Sequence, residues 1–270
     1  MKFLEFWRRE ADRFQAIVFD IDGTLLRGPH QLPGAAELLG EVRLQKKPLF
    51  FLTNDGDHTL EQKCSFLVRA GLTARPDEII NCLSGLESQA KKHDWVGRTF
   101  FAAGELGELE RVSCVKLERD LGRLEHCAGV ILSEGVYDWR VNWEAIVNFF
   151  RRHPERLFIV PNPDGYWPSP SSGIFGIGAG GQARCIQLIL KEMGVEIEPI
   201  YLGKPHAAIY EHTLYELERR FGVEPEPECI LMLGDSLASD VRGANRAGFT
   251  SALVLTGITT PEMAANADGE

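Results

Sequence analysis

Four apolar segments of this chain each end in polar residues, and this repeated arrangement restricts the fold more than any other sequence feature. Apolar segments of four or five residues without alternation are typical of parallel strands that are buried on both faces. The carboxyl ends of parallel strands lie at one edge of a sheet, so we expect the four polar endings to meet there. The segments are AIVF before Asp20, PLFFL before Thr53, PIYL before Gly203 and Lys204, and CILML before Gly234 and Asp235.

Helical segments alternate with the apolar segments, which is the pattern of βα units around a parallel sheet. Proline or glycine residues bound several of these helical segments, as is common at helix starts and ends. The pattern predicts an α/β fold with a doubly wound, Rossmann-like parallel sheet, in which a ligand binds where the strand order reverses. The predicted helices lie in residues 33–45, 57–72 and 207–222.

A second domain is predicted inside the first. The roughly 150 residues between Thr53 and Lys204 are far more than one crossover connection needs. We therefore predict an inserted α/β domain at residues 81–199 and a core formed by residues 1–80 and 200–270. The strands predicted in the insert lie in residues 98–104, 128–133 and 156–165, and the helices in residues 142–153 and 182–194.

The composition excludes several classes of protein. Apolar residues make up 44% of the chain and charged residues 25%, which is the balance of a folded globular protein. The formal net charge of −10 opposes association with nucleic-acid phosphates or anionic lipids. The six cysteines form no CxxC pair, the N-terminal segment lacks the apolar stretch of a signal peptide, and no apolar segment reaches the length of a membrane span. We therefore expect a cytoplasmic protein that binds neither nucleic acid nor membrane.

Asp20 and Asp22 stand two residues apart in the stretch AIVFDIDGTLL. Side chains two apart on a strand share a face, so both carboxylates are expected at one mouth of the sheet. Two carboxylates about 4 Å apart repel by roughly 4 kcal/mol at an effective dielectric constant near 20, so a cation, a proton or a basic side chain should accompany them. A calcium-binding EF-hand also begins with alternating acids, but Leu25 and Gln31 stand where that loop needs glycine and glutamate.

The other polar endings add the groups that phosphoryl transfer needs. Thr53 offers a hydroxyl donor, Lys204 an ammonium group, and Asp235 and Asp240 further oxygen ligands. With Asp20, they supply a nucleophile, a proton carrier, a magnesium site and donors for phosphate oxygens. In this order the residues resemble the four motifs of the haloacid dehalogenase superfamily. The motifs are Asp20-Ile21-Asp22-Gly23-Thr24, then Thr53, then Lys204 in GKP, then Asp235 to Asp240 in GDSLASD.

Within that superfamily the chain most resembles class IIA, the NagD-type phosphatases. Members of this class carry a large α/β insert between the second and third motifs, a cap that closes over the active site and selects the substrate. The predicted insert matches this cap in place and size. The chain departs from the family at Asp55, where many members carry a neutral residue, and at Pro161, where threonine is frequent. A carboxylate at position 55, beside a phosphate site, could alter the choice of substrate. The matching segments are DGTLLRG, LPGAAELL, FFLTND, PNPDG and GKP.

The resemblance implies catalytic roles for the motif residues. Asp20 is the expected nucleophile, which forms an aspartyl-phosphate. Asp22 is the expected acid and base, which protonates the leaving alcohol and later deprotonates the attacking water. Superfamily members that cleave carbon-halogen bonds lack this second acid, so its presence favours phosphate esters. Thr53, Asn54 and Lys204 are expected to bind the non-bridging phosphate oxygens.

Magnesium is the cofactor that the resemblance implies. The expected ligands are Asp20, the backbone carbonyl of Asp22, and Asp235, while Asp240 lies behind them and orients Lys204 or a metal-bound water. Ligands that are all oxygen argue against zinc. The expected enzyme is therefore a magnesium-dependent phosphatase of a small phosphorylated metabolite, and sugar, nucleotide and glycolytic-type esters all fit the motifs. A homo-oligomer is compatible with the family, since caps in related proteins can carry the interface.

Three other functions are compatible with parts of the sequence. A phosphotransferase of the same superfamily would move the phosphoryl group to another alcohol. A binding module without turnover should lack the nucleophile, the acid or the lysine, and here all three are present. GIGAGG at residues 176–181 matches the GxGxxG pattern of dinucleotide-dependent oxidoreductases. The preceding SPSSGIFGIG is a poor strand, so we interpret these glycines as a closely packed helix start.

Overall fold

The computed structural model describes residues 3–108, 112–168, 174–222 and 224–267. Strands and helices alternate along most of these ranges, as the sequence pattern predicts. No helix within them has the length and apolar character of a membrane span. In chain order the helices and strands are α1 (Phe3–Glu10), β1 (Ala16–Asp20), β2 (Leu26–Arg27), β3 (His30–Gln31), α2 (Ala35–Leu44), β4 (Leu49–Thr53), α3 (Leu60–Arg69), β5 (Ile79–Asn81), α4 (Leu86–Lys92), β6 (Thr99–Ala103), β7 (Lys116–Glu118), β8 (Gly129–Leu132), α5 (Trp139–Arg152), β9 (Leu157–Val160), β10 (Tyr166–Pro168), β11 (Phe175–Ile177), α6 (Ala179–Glu192), β12 (Ile200–Tyr201), α7 (Ala207–Phe221), β13 (Ile230–Gly234), α8 (Arg242–Arg246), β14 (Thr250–Leu253) and α9 (Pro261–Ala265).

The chain divides into two compact units. The first contains Met1–Thr53, Leu60–Asn81 and Lys204–Glu270, and the second contains Asn54–Thr59 and Cys82–Gly203. The predicted insert, residues 81–199, differs from the second unit mainly in two places. The second unit extends through Gly203, and it includes the short segment Asn54–Thr59, which the sequence pattern assigns to the core. This segment joins the second unit through contacts such as the hydrogen bond from the Gly107 N–H to the Gly56 carbonyl, 2.8 Å long.

β1 is the central strand of the sheet in the first unit. The strand order is β14-β13-β1-β4-β5, and every neighbouring pair is parallel. The chain proceeds outward from β1 through β4 to β5, and later adds β13 and β14 on the other side of β1. Strand order therefore reverses between β1 and β13. The doubly wound parallel sheet predicted from the sequence is confirmed.

Helices cover both faces of this sheet, which explains the continuous apolar segments. All residues of β1, β4 and β13 are buried. Ile17 and Phe19 of β1 pack in a cluster with residues of α1, α2 and α3. Val18 points to the opposite face, where it packs with residues of α7 and α8. Since both faces are apolar, the strands show no alternation of apolar and polar residues.

The PIYL segment is not a strand of the core sheet, and that prediction is wrong. Its strand, β12, has two residues and pairs in parallel with β9 in the second unit, with Ile200 opposite Ile159 and Tyr201 opposite Val160. β12 is an edge strand, and both of its residues are partly exposed. A short apolar segment does not specify which of two parallel sheets it joins, because the choice depends on tertiary contacts.

The second unit contains its own five-stranded parallel sheet. The strand order is β12-β9-β8-β6-β7, and all neighbouring pairs are parallel. Helices α5 and α6 pack on this sheet through an apolar cluster that includes Phe101, Phe150, Phe158 and Ile186. These strands and helices include the ones predicted for the insert, so its α/β character is confirmed.

The GIGAGG segment leads into helix α6 from an antiparallel strand, since β11 pairs with β10 in that orientation. A Cβ atom at Gly180 would lie 1.9 Å from the Pro163 carbonyl oxygen, and one at Gly181 would lie 2.3 Å from the Gly165 carbonyl oxygen. The glycines thus allow the helix start to pack directly on a neighbouring loop, as interpreted from the sequence. Residues 169–173, which belong to the segment identified as a poor strand, lie outside the described residues.

Gly180→Ala should destabilise the second unit, because the added methyl group meets a backbone carbonyl that moves only if the loop shifts. We expect a loss of about 1–3 kcal/mol in the free energy of unfolding, measured by denaturant titration. Gly40→Ala is the matched control, since nothing lies within 4 Å of a Cβ added at this exposed position of α2. The free energy of unfolding of Gly40→Ala should rise by about 0.5–1 kcal/mol, because alanine has a higher helix propensity than glycine. Equal unfolding free energies for the two variants would contradict the close packing at α6.

Candidate active site

Three side chains at the carboxyl edge of the first unit's sheet come from three adjacent strands. Asp20 is the last residue of β1, Thr53 is the last residue of β4, and Asp235 directly follows β13. Parallel strands end at the same edge, so these residues gather beside the reversal of strand order between β1 and β13. Doubly wound α/β folds bind their ligands at this point.

Lys204 supplies the positive charge of this cluster. Its side chain is 2% exposed. Its Nζ donates hydrogen bonds to Asp20 Oδ1 at 2.6 Å, to Asp240 Oδ1 at 2.7 Å and to the Leu52 carbonyl at 3.3 Å. Burial disfavours the ammonium form, but the attraction of Asp20 and Asp240 outweighs it and raises the pKa of Lys204 well above its ordinary value. Lys204 therefore carries a fixed positive charge.

Asp240 lies in a π-helical turn, Leu237–Val241, that follows β13. Its side chain is 1% exposed. While Oδ1 accepts from Lys204, Oδ2 accepts the backbone N–H groups of Asp235 at 3.1 Å and Ser236 at 3.0 Å. Both carboxylate oxygens are engaged, so Asp240 fixes the position of Lys204 and closes the loop that carries Asp235. Short π-helical turns are frequent at functional sites.

Asp235 is enclosed by backbone rather than by side chains. Its Oδ2 accepts the Ile258 N–H at 2.7 Å. A Cβ atom at Gly23 would lie 2.4 Å from this oxygen, and one at Gly257 would lie 1.7 Å from it. Gly23 also has a φ of 90°, which favours glycine. The Asp-Gly sequence after β1 is therefore needed both for the turn and for the close approach to Asp235.

Three buried carboxylates share one ammonium group in this cluster. Carboxylate oxygens of Asp20, Asp235 and Asp240 all lie within 4.8 Å of one another. With all three acids ionised, three negative charges would face one positive charge, and this excess opposes their ionisation. Burial raises the pKa of Asp20 well above its ordinary value, and Asp240 and Asp235 act in the same direction. Burial and Asp240 also raise the pKa of Asp235, to about 6.

The donor set fits a hard divalent cation such as magnesium. Carboxylate oxygens are the ligands that magnesium prefers, and the cluster contains neither sulfur nor imidazole. Within the described part of the chain, these are the acids whose ligand atoms come close enough together to hold one ion. A cation would offset the negative charge that raises the pKa values of Asp20 and Asp235. Asp240 is the less accessible ligand, because its side chain is 1% exposed and accepts hydrogen bonds from Lys204 and from two backbone N–H groups. Asp20 and Asp235 are therefore the better placed ligands.

Asp22 has a basic partner of its own. Lys63 Nζ donates to Asp22 Oδ2 at 2.7 Å. Strand alternation was expected to place Asp22 on the same face as Asp20, but β1 ends at Asp20 and the chain turns at Gly23. The side chain of Asp22 is 57% exposed, whereas that of Asp20 is 10% exposed. Of the partners expected beside the two acids (a cation, a proton or a basic side chain), a basic side chain contacts each carboxylate.

Thr53 and Asn54 are neighbours in sequence but belong to different compact units. Thr53 is 3% exposed and pairs with Asn81 of β5. Asn54 begins the segment that joins the second unit, where its side-chain amide donates to Asp164 Oδ2 at 3.0 Å. The phosphate-binding roles of Thr53 and Asn54 stay predictions.

Two contacts of the segment from Asp20 to Thr24 involve residues that the sequence pattern did not predict for the site. Thr24 Oγ1 donates to Asp20 Oδ2 at 3.1 Å, and Lys63 is the cation beside Asp22. Thr24 belongs to the first motif, but the motif assigns it no role. The sequence feature that could have identified Lys63 is its position, next to Cys64, on the apolar side of a predicted amphipathic helix.

Asp55, where the chain departs from the family pattern, organises a turn in the second unit. Its Oδ1 accepts the backbone N–H groups of Asp57 and His58, each at 3.1 Å. The ring Nδ1 of His58 lies 2.9 Å from Asp55 Oδ2. Asp55 thus bonds to its own segment, as an aspartate at the start of a turn commonly does.

Asp57 and Glu134, also in the second unit, hold protons near neutral pH. Burial raises the pKa of Asp57 to about 7, with a further contribution from Asp55. Burial raises the pKa of Glu134 to about 8, and Asp57 acts in the same direction. Asn162 donates to Glu134 Oε1, while Glu134 Oε2 is buried without a hydrogen-bond partner among the described residues. Sequence patterns do not single out either acid, because burial produces the shifts.

Comparison with known families matches both ends of the chain. A model of haloacid dehalogenase-like hydrolases matches residues 17–118. A second model, of HAD-hydrolase-like sequences, matches residues 201–270. The first range contains Asp20, Asp22 and Thr53, and the second contains Lys204 and Asp235.

Individual relatives cover nearly the whole chain. An acid sugar phosphatase from Staphylococcus epidermidis is 25% identical over 252 residues, which are 92% of this chain and 89% of that protein. The structure of NagD from Escherichia coli K-12 aligns with a TM-score of 0.78 at 21% identity, covering 95% of this chain and 94% of NagD. A glycerol phosphate phosphatase from Mycobacterium tuberculosis, solved in complex with magnesium, aligns with a TM-score of 0.78 at 22% identity and covers 96% of this chain and 73% of that chain.

The chain belongs to the haloacid dehalogenase superfamily of hydrolases, whose two models match residues 17–118 and 201–270. Its fold is that of NagD, as the resemblance to class IIA predicts. The family predicted from the four motifs is confirmed, as is the prediction that the protein is a phosphatase enzyme. Membership of a hydrolase family argues against the dinucleotide-dependent oxidoreductase that GIGAGG suggests. The close packing of these glycines at a helix start agrees with this conclusion.

Glu134→Gln should stabilise the protein at alkaline pH. The folded protein holds the Glu134 proton up to about pH 8, whereas the unfolded chain releases it near pH 4.5, the ordinary pKa of this group. Stability is therefore lost as pH rises between these values, and glutamine removes the loss. The thermal midpoint of Glu134→Gln should exceed that of the wild type by about 4 °C or more at pH 9, and the difference should shrink towards zero at pH 5.

The matched control is Glu144→Gln, a substitution in the same unit at a side chain that is 65% exposed. Its thermal midpoint should differ little from the wild type at either pH. A difference between Glu134→Gln and the wild type that is the same at pH 5 and pH 9 would contradict a buried, protonated Glu134.

Proposed function

We propose that the protein is a magnesium-dependent phosphatase that hydrolyses a small organic phosphate monoester through a phosphorylated Asp20. The observation that carries this proposal is the contact of Lys204 with both Asp20 and Asp240, beside Asp235. The cluster combines a carboxylate nucleophile, a fixed positive charge and an acidic site for a cation. It lies where doubly wound folds bind ligands.

In the first step, a carboxylate oxygen of Asp20 forms a bond to phosphorus while the bond between phosphorus and the ester oxygen breaks. Asp22 donates its proton to the departing oxygen, so an alcohol leaves rather than an alkoxide. The 57% exposure of the Asp22 side chain supports this role, because the acid must reach a substrate oxygen and exchange protons with water. The step ends with a free alcohol and a phosphorylated Asp20.

In the second step, a water molecule attacks the phosphorus atom of the phosphorylated Asp20. Asp22, now a carboxylate, takes a proton from that water, and the bond between phosphorus and the Asp20 oxygen breaks. Inorganic phosphate leaves, and both carboxyl groups return to their initial states. One carboxyl group serves first as acid and then as base, which is the expected division of work in a two-step transfer.

Lys204 and Thr53 stabilise the group that is transferred. Charge builds on the non-bridging phosphate oxygens during the reaction, and donors fixed in advance stabilise it without reorganisation. Lys204 meets this requirement because two carboxylates hold its buried ammonium group. The Thr53 hydroxyl, at the end of β4, is the neutral donor that we assign to the same oxygens.

Asp20, the backbone carbonyl of Asp22 and Asp235 would hold the magnesium ion. When bound, the ion supplies positive charge that polarises the phosphoryl group and offsets its negative oxygens. The chain's own contribution is to hold the ligands in place. The Ile258 N–H fixes Asp235 Oδ2, and the Thr24 hydroxyl donates to Asp20 Oδ2.

We infer that the substrate is a phosphorylated sugar or polyol. One relative is named as an acid sugar phosphatase, and one structural neighbour as a glycerol phosphate phosphatase. Both names denote small esters rich in hydroxyl groups. The net charge of −10 also disfavours polyanionic substrates such as nucleic acids.

A phosphatase screen tests the proposed function. Purified protein is incubated with sugar phosphates, glycerol phosphate, nucleotides and aryl phosphates, and released inorganic phosphate is measured with magnesium and with EDTA. We expect release that EDTA abolishes and added magnesium restores. If no ester yields magnesium-dependent phosphate release, the proposal fails. Transfer of the phosphoryl group to an added alcohol in place of water would instead identify a phosphotransferase.

Asp20→Asn should reduce turnover of the best ester by at least about 10³-fold, because the amide cannot act as the nucleophile. Phosphate release at saturating substrate measures the effect. Asp94→Asn is the matched control, since this carboxylate is 97% exposed and its φ of 58° suits asparagine. It should keep wild-type activity. Substantial activity in Asp20→Asn would show that another residue is the nucleophile.

Asp235→Asn should weaken magnesium binding, because one negatively charged oxygen ligand is lost. We expect the magnesium concentration for half-maximal activity to rise by at least about tenfold. Magnesium should also raise the thermal midpoint of the wild type, since it binds the folded state, and this shift should disappear in Asp235→Asn. Equal magnesium dependence in Asp235→Asn and Asp94→Asn would exclude Asp235 as a ligand.

A further inference from the structure

Lys63 occupies an apolar position of helix α3. It is buried, and the other buried residues of the helix, Leu60, Cys64 and Leu67, lie three residues before it, one after it and four after it. Residues three and four apart share one face of a helix, and an apolar stripe is wide enough to include two adjacent residues, so Lys63 stands within the stripe that packs on the sheet. Lysine is rarely buried at such positions unless its charge has a partner.

The ammonium group of Lys63 contacts the carboxylate of Asp22. Nζ of Lys63 donates to Asp22 Oδ2 at 2.7 Å. The two side chains differ sharply in exposure, at 8% for Lys63 and 57% for Asp22. A side chain that is mostly exposed has few packing contacts to select its rotamer. The contact with a buried, well-fixed ammonium group therefore restrains the orientation of Asp22.

A lysine at this position is not required by the packing of the helix. Removing an ammonium group from water is costly, so a buried lysine needs polar partners that offset the cost. An apolar residue of similar length would fill the stripe on α3 without that cost, and such replacements of buried charges are often neutral or stabilising. A buried ammonium group that contacts the predicted acid and base therefore points to a role in the reaction.

We propose that Lys63 is a positioning residue that orients Asp22 for proton transfer to the leaving group. The inference rests on the proposed function, in which Asp22 protonates the departing oxygen. Lys63 binds Oδ2, so Oδ1 is the oxygen left to carry the transferred proton. The proton passes from Oδ1 of Asp22 to the ester oxygen while the bond between that oxygen and phosphorus breaks. Lys63 keeps its own protons throughout. Without Lys63, Asp22 would sample other rotamers and the transfer would become less frequent.

The test compares two esters of similar shape, phenyl phosphate and 4-nitrophenyl phosphate. Phenoxide is a strongly basic leaving group and needs the proton, whereas 4-nitrophenoxide leaves readily without it. For Lys63→Met we expect kcat/KM to fall at least about tenfold on phenyl phosphate and less than about threefold on 4-nitrophenyl phosphate. The ratio kcat/KM is the right measure because it reports only the steps up to and including departure of the leaving group. Hydrolysis of the phosphorylated Asp20 comes later and does not affect it.

Two variants and one physical measurement make the test specific. Lys63→Arg keeps a charged donor and should recover most of the activity on phenyl phosphate. In an Asp22→Asn background, Lys63→Met should cause no further selective loss, because the group that it orients is absent. The thermal midpoint of Lys63→Met should equal or exceed that of the wild type.

The outcomes separate this inference from the proposed function. Equal losses on the two esters, no loss on either, or a selective loss that persists in the Asp22→Asn background would overturn the role of Lys63. If the wild type itself hydrolyses neither ester nor any other in a magnesium-dependent way, the proposed function fails first. Selective loss on phenyl phosphate, with a thermal midpoint no lower than that of the wild type, is the result that supports a positioning role.

Discussion

The buried ammonium group of Lys204 holds the carboxyl edge of the first unit together. It bonds Asp20 at the end of β1 and Asp240 in the turn after β13, so one side chain joins three distant parts of the chain. Leaving one member of a buried ion pair without its partner typically costs about 3–5 kcal/mol. Here the carboxylates of Asp20, Asp235 and Asp240 would also repel one another within 4.8 Å. The order of this edge therefore depends on Lys204, and so does any chemistry that takes place there.

Both units of this protein bury ionisable side chains at positions where apolar side chains would cost less free energy. The first unit buries three acids around one lysine and places Lys63 in an apolar helix face. The second unit buries Glu134 with one carboxyl oxygen unpaired among the described residues, and burial raises its pKa to about 8. Apolar residues would occupy these positions at lower cost. Such departures cluster around functional sites in proteins, because binding and catalysis need the charges that folding alone does not.

Much of the fold and site follows from patterns that are local in the sequence. Continuous apolar segments before Asp20, Thr53 and Asp235 predict buried parallel strands, and parallel strands bring their polar ends together at one edge. The PIYL segment has the same local pattern but joins the other sheet, as β12 beside β9. Two residues of edge strand carry too little information to choose between sheets, since partner choice depends on packing against residues far away in the chain.

The sequence by itself determined the family, the doubly wound core, the inserted α/β domain and the set of acids and lysine that motif spacing identifies. Those features depend on the order of residues along strands and turns, which is a local property. Only the tertiary structure decided that Lys204 bridges Asp20 and Asp240, that Asp22 pairs with Lys63, and that burial leaves Glu134 protonated near neutral pH. Ion pairs and pKa shifts depend on distances and burial between residues that are far apart in the chain, and both exist only after the chain has folded.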